Sequence, residues 1–92
     1  MIKSFRCTKT QALFEGRHPR RFQAIATVAE RRLQMLDSAH AIQDLRVPPG
    51  NRLEALLGNR KGQWSIRIND QWRLCFRFDN GNAFDVEIVD YH

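Results

Sequence analysis

The stretch WSIRINDQWRLCFRFDNGNAFDVEIV, residues 64–89, decides the fold of this chain. Apolar residues occupy alternate positions in three runs, which is the period of a β-strand with one buried face. The runs are separated by residues 69–71 (NDQ) and 79–82 (DNGN), both rich in turn-forming residues. The pattern predicts three antiparallel strands joined by tight hairpins, with one apolar face.

The N-terminal part of the chain has helical periodicity instead. Apolar residues from Phe22 to Leu36 recur on one side of a helical wheel, and Pro19 suits the first turn of such a helix. A shorter helix is expected to start at Thr8 and stop at Gly16. These helices have the apolar stripe that could cover the apolar face of the strands.

Two further segments are predicted as short strands. Residues 1–5 alternate weakly and suit an edge strand, and residues 52–56 follow a Pro-Pro-Gly loop that ends the helical region. The sequence therefore predicts an α+β fold in which the N-terminal helices pack on one face of an antiparallel β-meander. The length predicts a single domain over residues 1–92.

The composition favours a polyanionic partner and excludes several classes of protein. The chain carries 15 Lys and Arg against 10 Asp and Glu, and most of the cations are arginines, which suit phosphate and base stacking. No apolar run could cross a bilayer, and the first residues lack the core of a signal peptide, so we expect a cytoplasmic protein. Two cysteines are too few for a disulfide framework or a structural zinc site.

The predicted register places two arginines opposite each other. If core residues face core residues, Arg67 pairs with Arg73, Arg73 pairs with Val89, and Arg77 pairs with Asp85. Facing like charges destabilise a sheet, so replacing Arg73 should cost little stability. Two explanations of the arginine pair remain open: both side chains splay into water, helped by a diagonal acid, or they bind a phosphate.

Other candidate groups lie near the C-terminus and in a basic loop. Asp90, Tyr91 and His92 can move protons or orient a hydroxyl, and Tyr91 shares the strand face of Arg73 by parity. Residues 58–62 (GNRKG) form a basic loop that is either an ordinary surface turn or an RNA contact. The two cysteines have no base partner in the sequence and are expected to be inert.

Residues 48–56, 58–76 and 89–92 together closely resemble the HigB-type toxins of the RelE/ParE superfamily. The runs SIRIN, QWR and the terminal DYH carry the resemblance. It implies a type II toxin–antitoxin system in which the toxin enters the ribosomal A site and cuts mRNA. It also implies a helix-turn-helix antitoxin of the HigA-like kind as partner, with operator DNA contacted only through that antitoxin.

The resemblance further implies a reaction without metal or cofactor, in which a ribose 2′-OH attacks the adjacent phosphate. Arg73 would stabilise the charge on the phosphate, and Asp90, Tyr91 and His92 would transfer protons or orient the RNA.

Glu54 stands where some relatives carry His, and a partly buried Glu54 could act as a base. Leu57 stands where many carry Lys. The basic residues expected to contact RNA are Arg52, Arg60, Lys61 and Arg67.

Two other functions stay open at this point. A ParE-like protein of the same fold would inhibit DNA gyrase by binding, without proton-transfer groups. A non-catalytic basic module would bind RNA or the ribosome only, which the apolar Leu57 favours. The terminal DYH and the arginine pair favour the nuclease.

Overall fold

The computed structural model describes residues 1–90 and confirms the predicted α+β fold. One antiparallel sheet has the strand order β1 (Glu54–Ala55), β2 (Trp64–Arg67), β3 (Trp72–Asp79), β4 (Asn82–Asp90). Two α-helices, α1 (Thr8–Phe14) and α2 (Ala26–Ser38), pack on one face of it. The opposite face is called the outer face below. The extra strand predicted within residues 52–56 is present as β1.

The core lies between α2 and the sheet. Ala29, Leu33 and Leu36 line one side of α2 and are fully buried, as their spacing predicts. They meet buried strand residues at alternate positions, among them Ile66 and Leu74. Because one face of each central strand is used for this contact, the intervening residues are directed to the outer face.

The prediction of one long α-helix from Pro19 onward is wrong for the first part of that segment. Residues Arg20–Ile25 form a 3-10 helix, and the α-helix begins only at Ala26. The N–H of Phe22 donates to the carbonyl of Pro19 at 3.1 Å, three residues back. Phe22 and Ile25 are both buried and three residues apart, and the tighter helix places such residues on one side.

The β2–β3 hairpin has the predicted register. Arg67 pairs with Arg73, and Arg73 pairs on its other side with Val89 of β4. A slip of one residue would turn the apolar set of each strand away from the helices, so the core fixes this register.

The far end of the β3–β4 hairpin differs from the prediction. Arg77 pairs with Phe84 rather than Asp85, because a bulge shifts the register between Cys75 and Arg77. Asp85 lies in the left-handed region at φ +54°, which aspartate tolerates better than most residues. The predicted ion pair still forms, with Arg77 Nε 2.9 Å from Asp85 Oδ2.

Residues at the N-terminus extend the sheet beyond β4, as expected of an edge strand. Ile2 and Phe5 form parallel bridges to Ala83 and Val86. The bridges are isolated rather than a continuous ladder, because the bulge lies between their partners. Within residues 1–90, no helix is long and apolar enough to cross a membrane.

Candidate active site

Arg73 is a buried arginine on the outer face, only 8% exposed. Its Nε donates to Ser65 Oγ at 2.9 Å, and its Nη2 donates to the carbonyl oxygen of Arg52 at 2.8 Å. The same Nη2 lies 3.4 Å from Glu54 Oε1. Hydrogen bonds at two of its nitrogens hold the guanidinium in one orientation. A donor that stabilises charge developing in a transition state needs such a fixed orientation.

Arg67 and Arg73 are paired across the strands but bind different partners. The Arg67 guanidinium forms an ion pair with Asp70 in the adjoining turn, and Arg73 turns toward β1. The structure raises the stability cost expected for losing Arg73, because its buried hydrogen bonds would be lost. The diagonal acid on β4, Glu87, does not serve this pair; it binds Arg60.

The segment that enters β1 contributes through its backbone as well as its side chains. Arg52 adopts φ +46°, and its carbonyl is the acceptor for Arg73 while its side chain is exposed. The Glu54 side chain is 54% exposed, so the partial burial expected of a base is not what the structure shows. Glu54 instead stands at the solvent side of Arg73.

The loop before β2 places a second arginine on the outer face. Arg60 Nη1 donates to Glu87 Oε1 at 2.8 Å and to Gln63 Oε1 at 3.0 Å. Lys61 follows and is exposed. Leu57, where relatives carry Lys, is 83% exposed and makes no contribution to the core.

A row of polar side chains crosses the outer face between these two arginines. Glu54 pairs with Ser65, Ser65 with Cys75, and Cys75 with Glu87, so the four residues share one face. We call these four residues the outer-face row. Burial raises the pKa of the central Cys75 thiol to about 11; the charges of Arg60 and Arg73 lower it, and that of Glu87 raises it.

The two cysteines should differ sharply in reactivity. Cys75 is fully buried and stays a neutral thiol at neutral pH. Burial also raises the pKa of Cys7, but hydrogen bonds from Thr10 and Lys9 outweigh it and leave the pKa below its ordinary value.

We expect an alkylating reagent at pH 8 to label Cys7 in the native protein and Cys75 only after unfolding, as read by mass spectrometry. Cys7→Ser should then leave the native protein unlabelled, and native labelling of Cys75 in that variant would contradict the assignment.

The structure does not bring Asp90 beside Arg73. Asp90 pairs with Trp72, whereas Arg73 pairs with Val89, so the Asp90 side chain leaves the strand on the opposite face. Its Oδ2 accepts a hydrogen bond from Gln71 Nε2 at 3.1 Å. Tyr91 and His92, the other members of the predicted trio, lie outside the described residues.

The chemistry available on the outer face is the binding of an anion between two fixed arginines. Each guanidinium offers planar donors that suit phosphate oxygens. Within residues 1–90, no group of three or more His, Cys, Asp or Glu side chains is placed to hold a metal ion. The resident acids, Glu54 and Glu87, each lie at one end of the outer-face row.

Sequence reasoning missed Ser65 and did not assign Glu87 its partner. Ser65 lies two residues before Arg67 on the same strand face, diagonally from Arg73, so the predicted register contained the signal for it. Glu87 and Arg60 are 27 residues apart in the sequence, and Arg60 lies in a loop, so strand alternation does not predict their pairing.

Solved structures with this fold are toxins and toxin complexes of low sequence identity. YafQ from E. coli superimposes with a TM-score of 0.64 at 12% identity, covering 98% of this chain and 91% of that one. A YoeB–YefM complex from Staphylococcus aureus gives a TM-score of 0.57 at 17% identity, covering 100% and 98%. The fold is therefore that of the RelE/ParE class of toxins.

The chain belongs to the HigB-like toxin family: the family described as "RelE-like toxin of type II toxin-antitoxin system HigB" matches residues 3–92. This confirms the resemblance carried by the SIRIN, QWR and DYH runs. As a toxin of a type II system, it has an antitoxin as its partner.

Two curated relatives support the same assignment. Endoribonuclease HigB of Proteus vulgaris is 36% identical over 94 residues, covering 100% of both chains. Toxin HigB-1 of Vibrio cholerae is 54% identical over 56 residues, which is 61% of this chain and 59% of the Vibrio protein. The family and the Proteus relative support a ribonuclease toxin.

Proposed function

We propose that this toxin is a ribosome-dependent endoribonuclease that enters the ribosomal A site, cuts mRNA and so inhibits translation. The observation that carries the proposal is the buried Arg73 guanidinium, fixed by Ser65 Oγ and by the carbonyl of Arg52. The guanidinium is thereby held on the outer face, where preorganised donors can stabilise the charge that develops on a phosphate. The name of the Proteus relative supports the same reaction class.

In the proposed reaction the ribose 2′-oxygen attacks the adjacent phosphorus. The new O2′–P bond forms as the P–O5′ bond breaks, which leaves a 2′,3′-cyclic phosphate and a 5′-hydroxyl. One group takes the 2′-OH proton and another protonates the departing 5′-oxygen. Arg73 stabilises the extra negative charge on the phosphate oxygens.

Position supports the role of Glu54, and the roles of Asp90, Tyr91 and His92 are proposed from residue type and the family resemblance. Glu54, beside Arg73 and open to solvent, is a candidate to accept the 2′-OH proton. His92 and Asp90 are candidates for proton transfer, and Tyr91 for stacking on or orienting the RNA. Arg52, Arg60, Lys61 and Arg67 are the proposed RNA contacts.

The charge distribution supports the proposed dependence on the ribosome. Residues 37–92, which include the outer face, carry seven Lys and Arg against eight Asp and Glu, so this part of the chain does not attract RNA by net charge. The message must therefore be presented to the site rather than captured from solution.

Mapping of mRNA ends tests the proposal. Purified toxin is added to ribosomes that carry a defined message, and to the same message without ribosomes. We expect 5′-hydroxyl ends within the A-site codon only when ribosomes are present. Efficient cutting of protein-free RNA at the same sites would contradict the ribosome dependence. Inhibition of gyrase supercoiling without any mRNA cleavage would favour the ParE-like alternative.

We propose a helix-turn-helix antitoxin of the HigA-like kind as the partner, contacting operator DNA on the toxin's behalf. Residues 1–36, which include both the 3-10 helix and most of α2, carry eight Lys and Arg against two Asp and Glu. Such a basic helical layer suits an acidic or amphipathic partner surface. Failure of the toxin to co-purify with the product of the neighbouring gene would contradict this.

Restoring a cation at position 57 should raise activity. Leu57 is 83% exposed, so Leu57→Lys disturbs no packing and adds a charge to the loop that carries Arg60. Electrostatic attraction of about 1 kcal/mol between a solvated lysine and the phosphate would speed cleavage about fivefold. The measurement is the cleavage rate on programmed ribosomes. Val28→Lys, which places the same charge on an exposed position of α2, is the matched control and should leave the rate unchanged.

A further inference from the structure

The two carboxylates of the outer-face row hold one arginine each. Glu54 lies at the β1 end of the row with Arg73, and Glu87 lies at the β4 end with Arg60. Arg60 comes from the loop before β2, whereas its partner lies on the strand at the other side of the sheet. The Arg60 side chain therefore extends across the outer face.

The Arg60–Glu87 pair is the more buried of two comparable ion pairs. Its side chains are 33% and 16% exposed at a separation of 2.8 Å, while those of Arg77 and Asp85 are 57% and 41% exposed at 2.9 Å. Gln63 Oε1 accepts a second hydrogen bond from the same Arg60 nitrogen. A carboxylate that is largely removed from water keeps its charge only if it is firmly paired, so Glu87 restrains Arg60.

Cys75 lies between the two ends of the row, because it pairs with Ser65 on one side and with Glu87 on the other. Arg73 donates to Ser65 on one side of Cys75, and Arg60 donates to Glu87 on the other side. Two guanidinium groups thus approach one strip of the outer face from opposite ends. A phosphate bound above this strip would meet donors on both sides.

We propose that Glu87 is a positioning residue of the nuclease, holding the Arg60 guanidinium over the outer face so that Arg60 and Arg73 together contact the phosphate that is cut. The inference rests on the proposed function. It also accounts for Leu57: Arg60, three residues later in the loop, supplies the cation that position 57 lacks. An arginine held in place before the substrate arrives loses less conformational freedom in the transition state.

The test is single-turnover and steady-state cleavage of mRNA on programmed ribosomes by Glu87→Gln, which keeps the shape of the side chain and removes its charge. We expect kcat to fall roughly 10- to 100-fold, as for a misplaced catalytic partner, with KM nearly unchanged. Asp85→Asn is the matched control: it neutralises the exposed pair on the same strand, suits the positive φ at that position, and should cleave like the wild type.

A double-mutant cycle, with rates corrected for the folded fraction, separates positioning from a general loss of stability. Arg60→Ala, Glu87→Ala and the double variant should lose kcat by about the same factor, because each breaks the same unit. Losses that multiply in the double variant, or a Glu87→Gln enzyme as fast as wild type, would overturn the proposal. If the losses disappear once rates are corrected for the folded fraction, measured by thermal melting, the pair is structural only and the proposal also fails.

The same assay distinguishes this inference from the proposed function. A wild-type toxin that cuts no mRNA on ribosomes refutes the nuclease and the positioning role with it. A wild-type toxin that cuts normally, alongside a fully active Glu87→Gln variant, refutes only the positioning role.

Discussion

Arg73→Ala should lower the rate of mRNA cleavage on ribosomes by about 10²-fold or more, the cost of removing one donor from a developing oxyanion. The variant should also be less stable by roughly 1.5–3 kcal/mol, because hydrogen bonds to a buried charged group are lost. In a domain of this size that lowers the melting temperature by about 10 °C. Cleavage and melting must therefore be measured together, well below the melting transition.

Two matched variants separate the chemical role of Arg73 from its structural one. Ser65→Ala removes the 2.9 Å hydrogen bond to Nε but keeps the guanidinium, so it should destabilise the protein while retaining much of its activity. Arg77→Ala removes an exposed arginine from the same strand and should change neither quantity. If the activity lost in Arg73→Ala returns once rates are corrected for the folded fraction, the contribution of Arg73 is structural and the phosphate is bound elsewhere.

Replacement of His92 by Ala should lower cleavage by roughly 10²- to 10⁴-fold, the range for loss of a group that transfers a proton. The melting temperature is measured beside the rate, so that a loss of activity can be separated from a loss of folded protein. If His92 transfers a proton, the pH profile of cleavage should also change in the variant.

His40→Ala is the control for this prediction. His40 is exposed, and its backbone N–H donates to Asp44 Oδ2 at 2.9 Å, so this hydrogen bond survives the substitution. A His92→Ala toxin with the wild-type rate and pH profile would remove His92 from the mechanism and leave Glu54 and Asp90 as the proton-transfer candidates.

Where the sequence predicts the fold well, one face of each element is buried. The β2–β3 register follows from apolar alternation, because any slip would expose Ile66 and Leu74 to water. The break between the 3-10 helix and α2 was not predictable in the same way, since Phe22 and Ile25 fall on the buried side in either helix type. The bulge at Asp85 depends on a local left-handed conformation that no apolar pattern encodes.

The candidate site was predictable where neighbours on adjacent strands form it. The sequence places Arg73 on the outer face and opposite Arg67, and the structure confirms that pairing. The sequence could not predict that the carbonyl of Arg52 would accept a hydrogen bond from Arg73, because every residue has a backbone carbonyl whatever its side chain. Long flexible side chains have many possible partners, so the hydrogen bond between Arg60 and Glu87 could not be predicted from the sequence.

The two margins of the sheet have a consequence for the toxin once it is separated from its antitoxin. On one side the N-terminal segment, bridged through Ile2 and Phe5, occupies backbone hydrogen-bonding groups of Ala83 and Val86 that β4 would otherwise offer to another chain. On the other side β1 is only two residues long, and both are exposed. Neither margin is a long flat template for intermolecular strand pairing, so the fold resists edge-to-edge aggregation without a chaperoning partner.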